Sequence, residues 1–294
     1  MNNQSDEPSA SDVFTEGISG GEVSHSDEPK KPSQEIMRQE LKEALAAFDR
    51  STSRLFFSGL AAGLEIGFSL FLIAVMRTLS GEGLPPAIHA LLIATMYSFG
   101  FILVILGRSE LFTEQTSLAV LPVLSRRASF KGLLRLWTVV YVANLIGAAA
   151  SAGLITYIGP ALGVIDRQVF GEIASDVVHY PPQVILVSGV LAGWLMGLLS
   201  WLVAAGRETV SQILIIWLVT ATIGLGHLHH SIVGSVELFA GIFSGGGTTL
   251  ADFAYFLVWT TLGNAIGGPF FLALLKYTHA RPLDRHESHG RRNQ

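Results

Sequence analysis

The chain has 294 residues, of which 50% are hydrophobic and 14% are charged, and its formal net charge is −4. Soluble domains carry about 25% charged residues, so this composition indicates a membrane protein. Apolar runs of about 20 residues, the length that crosses a bilayer, lie between two more polar terminal regions. The chain has no cysteine, which excludes disulfides and thiolate metal sites. Its small acidic charge gives no indication of a nucleic-acid partner.

The polar N-terminal region differs in composition from the rest of the chain. Residues 1–32 are rich in Ser, Asp, Glu, Pro and Gly, which is typical of a disordered cytoplasmic tail, and they lack the apolar core of a signal peptide. Residues 33–53 predict an amphipathic helix, capped by Ser33, that lies on the membrane or on the protein. Residues 54–278 form the predicted transmembrane domain, and residues 279–294 form a C-terminal cytoplasmic tail.

Six membrane-spanning segments are predicted in the transmembrane domain. Lys and Arg residues precede the first segment and follow the second, fourth and sixth, whereas the loop after the fifth has neither. By the positive-inside rule, both termini are therefore cytoplasmic, and we expect a multi-pass protein of the inner (plasma) membrane. The segments lie near residues 55–79, 87–106, 133–158, 184–205, 213–222 and 253–277, and the second and fifth continue beyond a break to about Pro122 and Phe243.

An internal repeat relates the two halves of this domain. The first segment reads SGLAAGLEIGFSLFL from Ser58, and the fourth reads SGVLAGWLMGLLSWL from Ser188. The third and sixth carry NLIG from Asn144 and NAIG from Asn264. Because each half has three spans, the second half enters the membrane from the opposite side. The sequence therefore predicts an all-α fold with a 3+3 inverted repeat, as in many channels and transporters.

The second and fifth segments are both interrupted by polar, glycine-bearing stretches. The second contains GRSELFTE from Gly107, and the fifth contains GLGHLHHSIVG from Gly224. Such backbone is tolerated at membrane depth only where it is buried in protein or lines a cavity. Paired broken helices in corresponding positions indicate a substrate site. We interpret the glycines as the points where the chain leaves the helix, and a histidine as a group on the pathway.

These motifs, in this order, resemble the formate/nitrite transporter family over residues 54–278. The strings LFTEQTSLAVLPV and VGSVE resemble a less characterised branch of that family. The resemblance implies an aquaporin-like fold, a homopentamer in the lipid bilayer and a separate pore through each subunit. The motifs that carry it are Leu111–Thr113, Asn144–Gly147, Gly206-Arg207, His230-Ser231-Ile232 and Asn264–Gly267.

The resemblance also implies roles for individual residues. His230 matches a central pore histidine, and Thr113 matches a threonine that hydrogen-bonds toward it. A bare small anion loses much hydration free energy between apolar walls, whereas its neutral acid loses less, and a histidine can supply or accept the proton. The residues alone do not decide between two mechanisms. The protein could relay protons, or it could be a passive channel for formate, nitrite or a similar anion. The two apolar constrictions are placed at Leu111, Phe112, Tyr97, Phe101, Ile223 and Met196.

The sequence departs from the family at several positions. His229 stands where better-known members carry Glu, His227 replaces a small residue, and Gly193 replaces a pore asparagine. Glu65 lies inside the first span, where an acid is costly unless it is paired or hydrated, and Arg108 is one candidate partner. The residues assigned to vestibules or modulating positions are Arg108, Glu110, Glu65, His227, His229, Gly193, Asn144 and Asn264.

Two other functions remain open at the level of sequence. The histidine cluster suits a divalent metal-ion transporter, although no recognised ligand spacing is present and we assign no metal ligand. A non-transporting membrane protein with a vestigial pore would use its N-terminal tail instead. No nucleophile–base set or metalloprotease motif is present, so we expect neither an enzyme nor a cofactor.

Overall fold

The computed structural model describes residues 30–80 and 83–270, and all regular elements in these ranges are helices. The predicted all-helical fold is thus confirmed. The N-terminal tail up to residue 29, the end of the sixth predicted span and the C-terminal tail lie outside the described residues. The helices are α1 (Ser33–Asp49), α2 (Thr52–Ser80), α3 (Pro86–Gly107), α4 (Phe112–Leu118), α5 (Val120–Leu124), α6 (Phe130–Ala161), α7 (Arg167–Val178), α8 (Pro182–Ala205), α9 (Thr209–Leu225), α10 (Ser231–Ser244) and α11 (Leu250–Pro269).

Four of these helices are long and apolar enough to cross a membrane by length and composition: α2, α3, α6 and α8. The shorter α9 and α10 are also apolar. α1 and α7 lie near opposite ends of the long helices. α1 packs beside the last turn of α8, where Ile36 and Trp201 share one buried cluster, and α7 packs beside the last turn of α2. We call these the α1 end and the α7 end.

Glycine residues bring two pairs of long helices into backbone contact. A Cβ atom on Gly147 of α6 would lie 2.9 Å from Gly63 Cα on α2 and would overlap the carbonyl oxygen of Leu60. At the crossing of α8 and α11, a Cβ on Gly193 would lie 2.5 Å from the Asn264 carbonyl oxygen. Small residues permit this close approach of two helix backbones. Gly193 is therefore in a helix contact, with no room for a side chain there.

Two breaks interrupt the apolar helices. The first break, residues 108–111, separates α3 from α4, and the second break, residues 226–230, separates α9 from α10. In both breaks the chain turns through one non-glycine residue in the left-handed region, Arg108 at φ 57° and His227 at φ 49°.

The prediction that glycines provide these exits is wrong, because the left-handed residues are Arg108 and His227. Gly224 remains in α9, and a Cβ there would lie 2.9 Å from Tyr97 Cγ. This glycine therefore makes room for an aromatic ring rather than for a turn.

Two further predictions differ from the structure. Pro32, not Ser33, occupies the N-cap of α1, and no side chain caps that helix. The expected loop after the third span contains α7, whose apolar face is buried through residues such as Phe170 and Ile173. An amphipathic helix of 12 residues is too short to be recognised as a membrane span, so the hydropathy pattern did not reveal it.

We predict that Gly147→Ala destabilises the protein by more than about 2 kcal/mol, because the new methyl group meets backbone atoms that cannot move independently. Gly153→Ala in the same helix is the control. A Cβ at Gly153 has only ordinary contacts, the nearest 3.8 Å from the Phe243 ring, so alanine there should be neutral or stabilising by up to about 1 kcal/mol. Thermal unfolding in detergent measures both variants, and equal melting temperatures would contradict the packing argument.

We predict that the stability of α1 docking falls as pH rises. Burial, aided by the nearby Glu43 and Glu114, raises the pKa of the Glu40 carboxyl well above its ordinary value. Its stabilising contribution is therefore complete below the unfolded pKa of about 4.3 and is lost as pH rises through the higher folded pKa. Glu40→Gln should melt above the wild type at pH 8 and close to it at pH 4. The exposed Glu35→Gln should show no such pH-dependent difference.

Candidate functional site

The two breaks meet at a buried histidine–threonine pair. Thr113 Oγ1 lies 2.7 Å from His230 Nε2, and the residues are 0% and 2% exposed. His230 Nδ1 accepts a hydrogen bond of 3.2 Å from the Val233 N–H at the first turn of α10. Because Nδ1 is an acceptor, the neutral ring carries its hydrogen on Nε2 and donates it to Thr113. The Thr113 hydroxyl hydrogen then remains available.

Aromatic side chains enclose this pair. The Phe101 ring, which is fully buried, meets the His230 ring edge-on with centroids 5.1 Å apart. Tyr97 continues the stack, with its centroid 5.5 Å from that of Phe101. The six residues predicted as constrictions all belong to one buried apolar cluster: Leu111, Phe112, Tyr97, Phe101, Ile223 and Met196.

Asn144 of α6 holds the first break in place. Its Oδ1 accepts from the Phe112 N–H at 2.8 Å, and its Nδ2 donates to the carbonyl oxygens of Gly59 at 2.7 Å and Glu110 at 2.9 Å. Ser58 Oγ accepts from the Glu110 N–H at 3.1 Å. These bonds satisfy backbone groups that the interrupted helix leaves without partners.

Asn264 of α11 makes the same three bonds at the second break. Its Oδ1 accepts from the Ser231 N–H at 2.9 Å, and its Nδ2 donates to the carbonyl oxygens of Gly189 at 2.9 Å and His229 at 3.0 Å. Ser188 Oγ accepts from the His229 N–H at 3.0 Å. In this register His229 corresponds to Glu110, and His230 corresponds to the leucine that follows Glu110.

A cavity of about 60 Å³ extends from the α7 end to His230. A water needs about 10–15 Å³, so this volume holds a few waters or one small ion. Five of the predicted site residues line it: Tyr97, Ile223, His227, His229 and His230. Leu111, Phe101, Met196 and Thr113 are buried outside the lining. Phe112 is also outside it, because its ring packs 4.5 Å from that of Tyr141 on α6.

Three charged residues of this cavity were missed by the sequence analysis. Arg77 at the end of α2 forms an ion pair with Asp176 on α7, and both line the cavity. Glu237 on α10 also lines it and is 8% exposed. An acid inside the apolar run VELFAGIF was the available signal, because ionisable residues inside membrane segments are rare and functional. The Arg77–Asp176 pair joins two residues that are distant in the chain, so no short sequence pattern indicated it.

Other predicted vestibule residues are not brought together. Glu65 Oε2 is buried without a hydrogen-bond partner among the described residues, and Arg108 is exposed, so the two form no salt bridge. Glu110 instead binds Arg50, with Nη1 and Oε1 2.5 Å apart, and also accepts from the Gln115 side chain. The carboxylate of the first break is thus fully engaged at the α1 end.

Protein groups bind three of the ring nitrogens of His229 and His230, while His229 Nε2 is buried without a hydrogen-bond partner among the described residues. His229 Nδ1 lies 2.8 Å from Ser188 Oγ, and both ring nitrogens of His230 are engaged as described. In residues 30–80 and 83–270, no group of three or more His, Asp or Glu side chains is arranged to hold a metal ion.

We predict that Asn264→Leu abolishes stable folding, because it leaves the buried Ser231 N–H and the buried His229 carbonyl without partners, at about 1–3 kcal/mol each. Thr260→Val, one turn earlier on α11, is the matched control. Thr260 is fully buried, and its Oγ1 has no hydrogen-bond partner in the part of the chain that the structure describes, so valine should be neutral or stabilising. Size-exclusion profiles and melting temperatures in detergent test the pair, and a well-folded Asn264→Leu protein would contradict the role of the amide.

The chain that carries both breaks is similar to known membrane transport proteins. Residues 34–278 match the family described as Formate/nitrite transporter. The inner membrane protein YfdC of Escherichia coli (strain K12) is 35% identical over 280 residues, which cover 92% of this chain and 86% of YfdC.

Two solved structures share its fold. One, an FNT family ion channel, superposes with a TM-score of 0.72 at 26% identity and covers 85% of this chain and 98% of its own. The other, a pentameric formate channel with formate bound, has a TM-score of 0.65 at 22% identity. The match covers 78% of this chain and 97% of the channel's chain. At that lower identity the likeness concerns the fold alone.

Proposed function

Since the chain belongs to the formate/nitrite transporter family, we propose that it is a multi-pass membrane channel or secondary transporter for a small monovalent anion or its conjugate weak acid. The observation that carries this proposal is the buried His230–Thr113 pair where two broken helices meet, beside a cavity open toward one end. Formate and nitrite, or anions of similar size, are the proposed substrates.

The proposed pathway runs from the cavity at the α7 end, between Tyr97 and Ile223, past His230, and on toward Leu111, Phe112 and the α1 end. The apolar side chains before and after His230 form its two constrictions. Water is excluded between them, so crossing as the neutral acid costs much less free energy than crossing as the bare anion.

Thr113 and His230 act together in this mechanism. The Nε2–H of the neutral imidazole donates to Thr113 Oγ1, which orients the hydroxyl hydrogen away from the ring. That hydrogen can donate to an oxygen of a substrate at the centre of the pathway. A substrate anion thereby meets a hydrogen-bond donor in an otherwise apolar passage.

The architecture is proposed to be a 3+3 inverted repeat with both termini in the cytoplasm. The matching hydrogen bonds of Asn144 and Asn264, and the left-handed residue in each break, support the repeat. The charge bias of the loops supports the orientation. The fold shared with a pentameric formate channel supports a homopentamer with one pathway in each subunit.

We predict that His230→Asn lowers weak-acid flux at least about tenfold, because asparagine removes the imidazole that orients the Thr113 hydroxyl toward the substrate. The purified protein is placed in liposomes loaded with a pH-sensitive dye, and inward gradients of formate, nitrite, acetate and chloride are imposed. Acidification of the interior reports entry of a weak acid together with its proton.

His89→Asn is the matched control, because His89 lies on α3 outside the cavity and the variant should keep wild-type flux. Flux that does not differ between His230→Asn and wild type would refute the pathway. No flux of any anion through a well-folded protein would refute anion transport and favour metal-ion transport or a vestigial pore.

A further inference from the structure

Glu237 is a nearly buried acid that has no ion-pair partner among the described residues. It is 8% exposed and receives no hydrogen bond within the described ranges, although it lines the cavity at the α7 end. Glu110 at the α1 end provides a contrast, because Arg50 and Gln115 both donate to its carboxylate. An isolated buried charge is costly, and the pairing of Glu110 offsets that cost, whereas Glu237 faces the cavity without such partners.

The position of Glu237 on its helix directs it toward the same space as His230. His230, Gly234 and Glu237 follow a spacing of four and three residues, which places them on one face of α10, and all three line the cavity. Seven residues of helix separate the acid from the histidine by about 10 Å along the axis. The carboxyl therefore lies toward the α7 end of the cavity, ahead of the histidine for a substrate that enters there.

The charges around Glu237 leave its carboxyl without a counterion at bonding distance. Arg77, the cation that lines the cavity, is held by Asp176, which is nearer the surface. The titratable and charged groups that face the cavity come from α2, α3, α7, the second break and α10, while α11 contributes an apolar ring. They are Arg77, Tyr97, Asp176, His227, His229, His230 and Glu237.

An anion in this cavity would repel an ionised Glu237, because two like charges in a small, mostly apolar space oppose each other strongly. The free energy of such a pair is lowered if one proton is shared between them. That proton is available from water at the α7 end, where the cavity opens.

We propose that Glu237 is a second protonation site, which protonates the substrate anion in the cavity before it passes Tyr97 and Ile223. The O–H bond of the Glu237 carboxyl breaks and an O–H bond forms on the anion, which gives a neutral acid and a carboxylate. The carboxylate recovers a proton from a hydronium ion in the water that enters from the α7 end, which leaves a water molecule. This inference rests on the proposed transport of a weak acid, and it adds the place where the acid is formed.

Glu237→Gln tests the proposal, because it keeps the shape of the side chain and removes the exchangeable proton. The dye-loaded liposomes are used with inward formate gradients at several external pH values, and with chloride gradients followed by a chloride-sensitive dye. We expect formate-driven acidification to fall at least about tenfold and to lose much of its rise at low pH. Chloride is not protonated in this pH range, so any chloride flux should not fall.

Glu172→Gln is the matched control, since Glu172 is an exposed acid on α7 outside the cavity lining. Formate flux in Glu237→Gln equal to that of this control would overturn the proposal. Higher formate flux would also overturn it, because it would mean that the negative charge of Glu237 hinders the entry of the anion. If Glu237→Gln fails to fold, Glu237→Asp replaces it, and an unchanged pH midpoint of its formate flux would reject the proposal.

The wild type and His230→Asn separate this inference from the function on which it rests. Absent flux in the wild type would refute weak-acid transport itself. Wild-type flux that collapses in His230→Asn but persists in Glu237→Gln would keep the transport function and refute only the role of Glu237.

Discussion

Two helices inside an apolar medium are interrupted, and every other feature of the site depends on how the exposed backbone groups are satisfied. Asn144 and Asn264 each accept one hydrogen bond from the chain at a break, donate one to a carbonyl in that break, and donate a second to a carbonyl of the neighbouring long helix. Each amide can do so only because the helix that carries it approaches its neighbour at backbone distance, through residues such as Gly63 and Gly193. Close packing and polar satisfaction are therefore one constraint, since a looser crossing would move the amide out of reach.

The same backbone arrangement supports different chemistry in the two halves. His230 occupies the register position that Leu111 has in the first break, and His229 occupies that of Glu110. The Nδ1 atom of His230 accepts a hydrogen bond from the Val233 N–H. This bond orients the ring so that its Nε2 meets the hydroxyl of Thr113 on α4. The scaffold thus places one polar pair at the centre of an apolar cluster, where the absence of competing water strengthens each hydrogen bond.

Glu110 and Glu237, two acids at opposite ends of the proposed pathway, have different surroundings. At the α1 end, Glu110 is bound by Arg50 and Gln115, which ties the break to the segment that follows α1. At the α7 end, Arg77 and Asp176 bind each other and leave Glu237 facing the cavity. Desolvation makes an unpaired acid costly, so this asymmetry is consistent with a role for the α7-end acid in exchange with the substrate rather than in holding the fold.

The sequence by itself determined the membrane class, the family and the two breaks, and the family resemblance implied the contact between His230 and Thr113, because hydropathy, short motifs and their order are local properties. It did not determine the left-handed exit residues, the helix α7 or the acid in the cavity. Turn geometry depends on which backbone bonds the neighbouring helices can complete. Likewise, the partner of Arg77 is 99 residues away along the chain. Only the tertiary structure decided these, because burial and charge pairing are set by contacts between segments that are distant in the sequence.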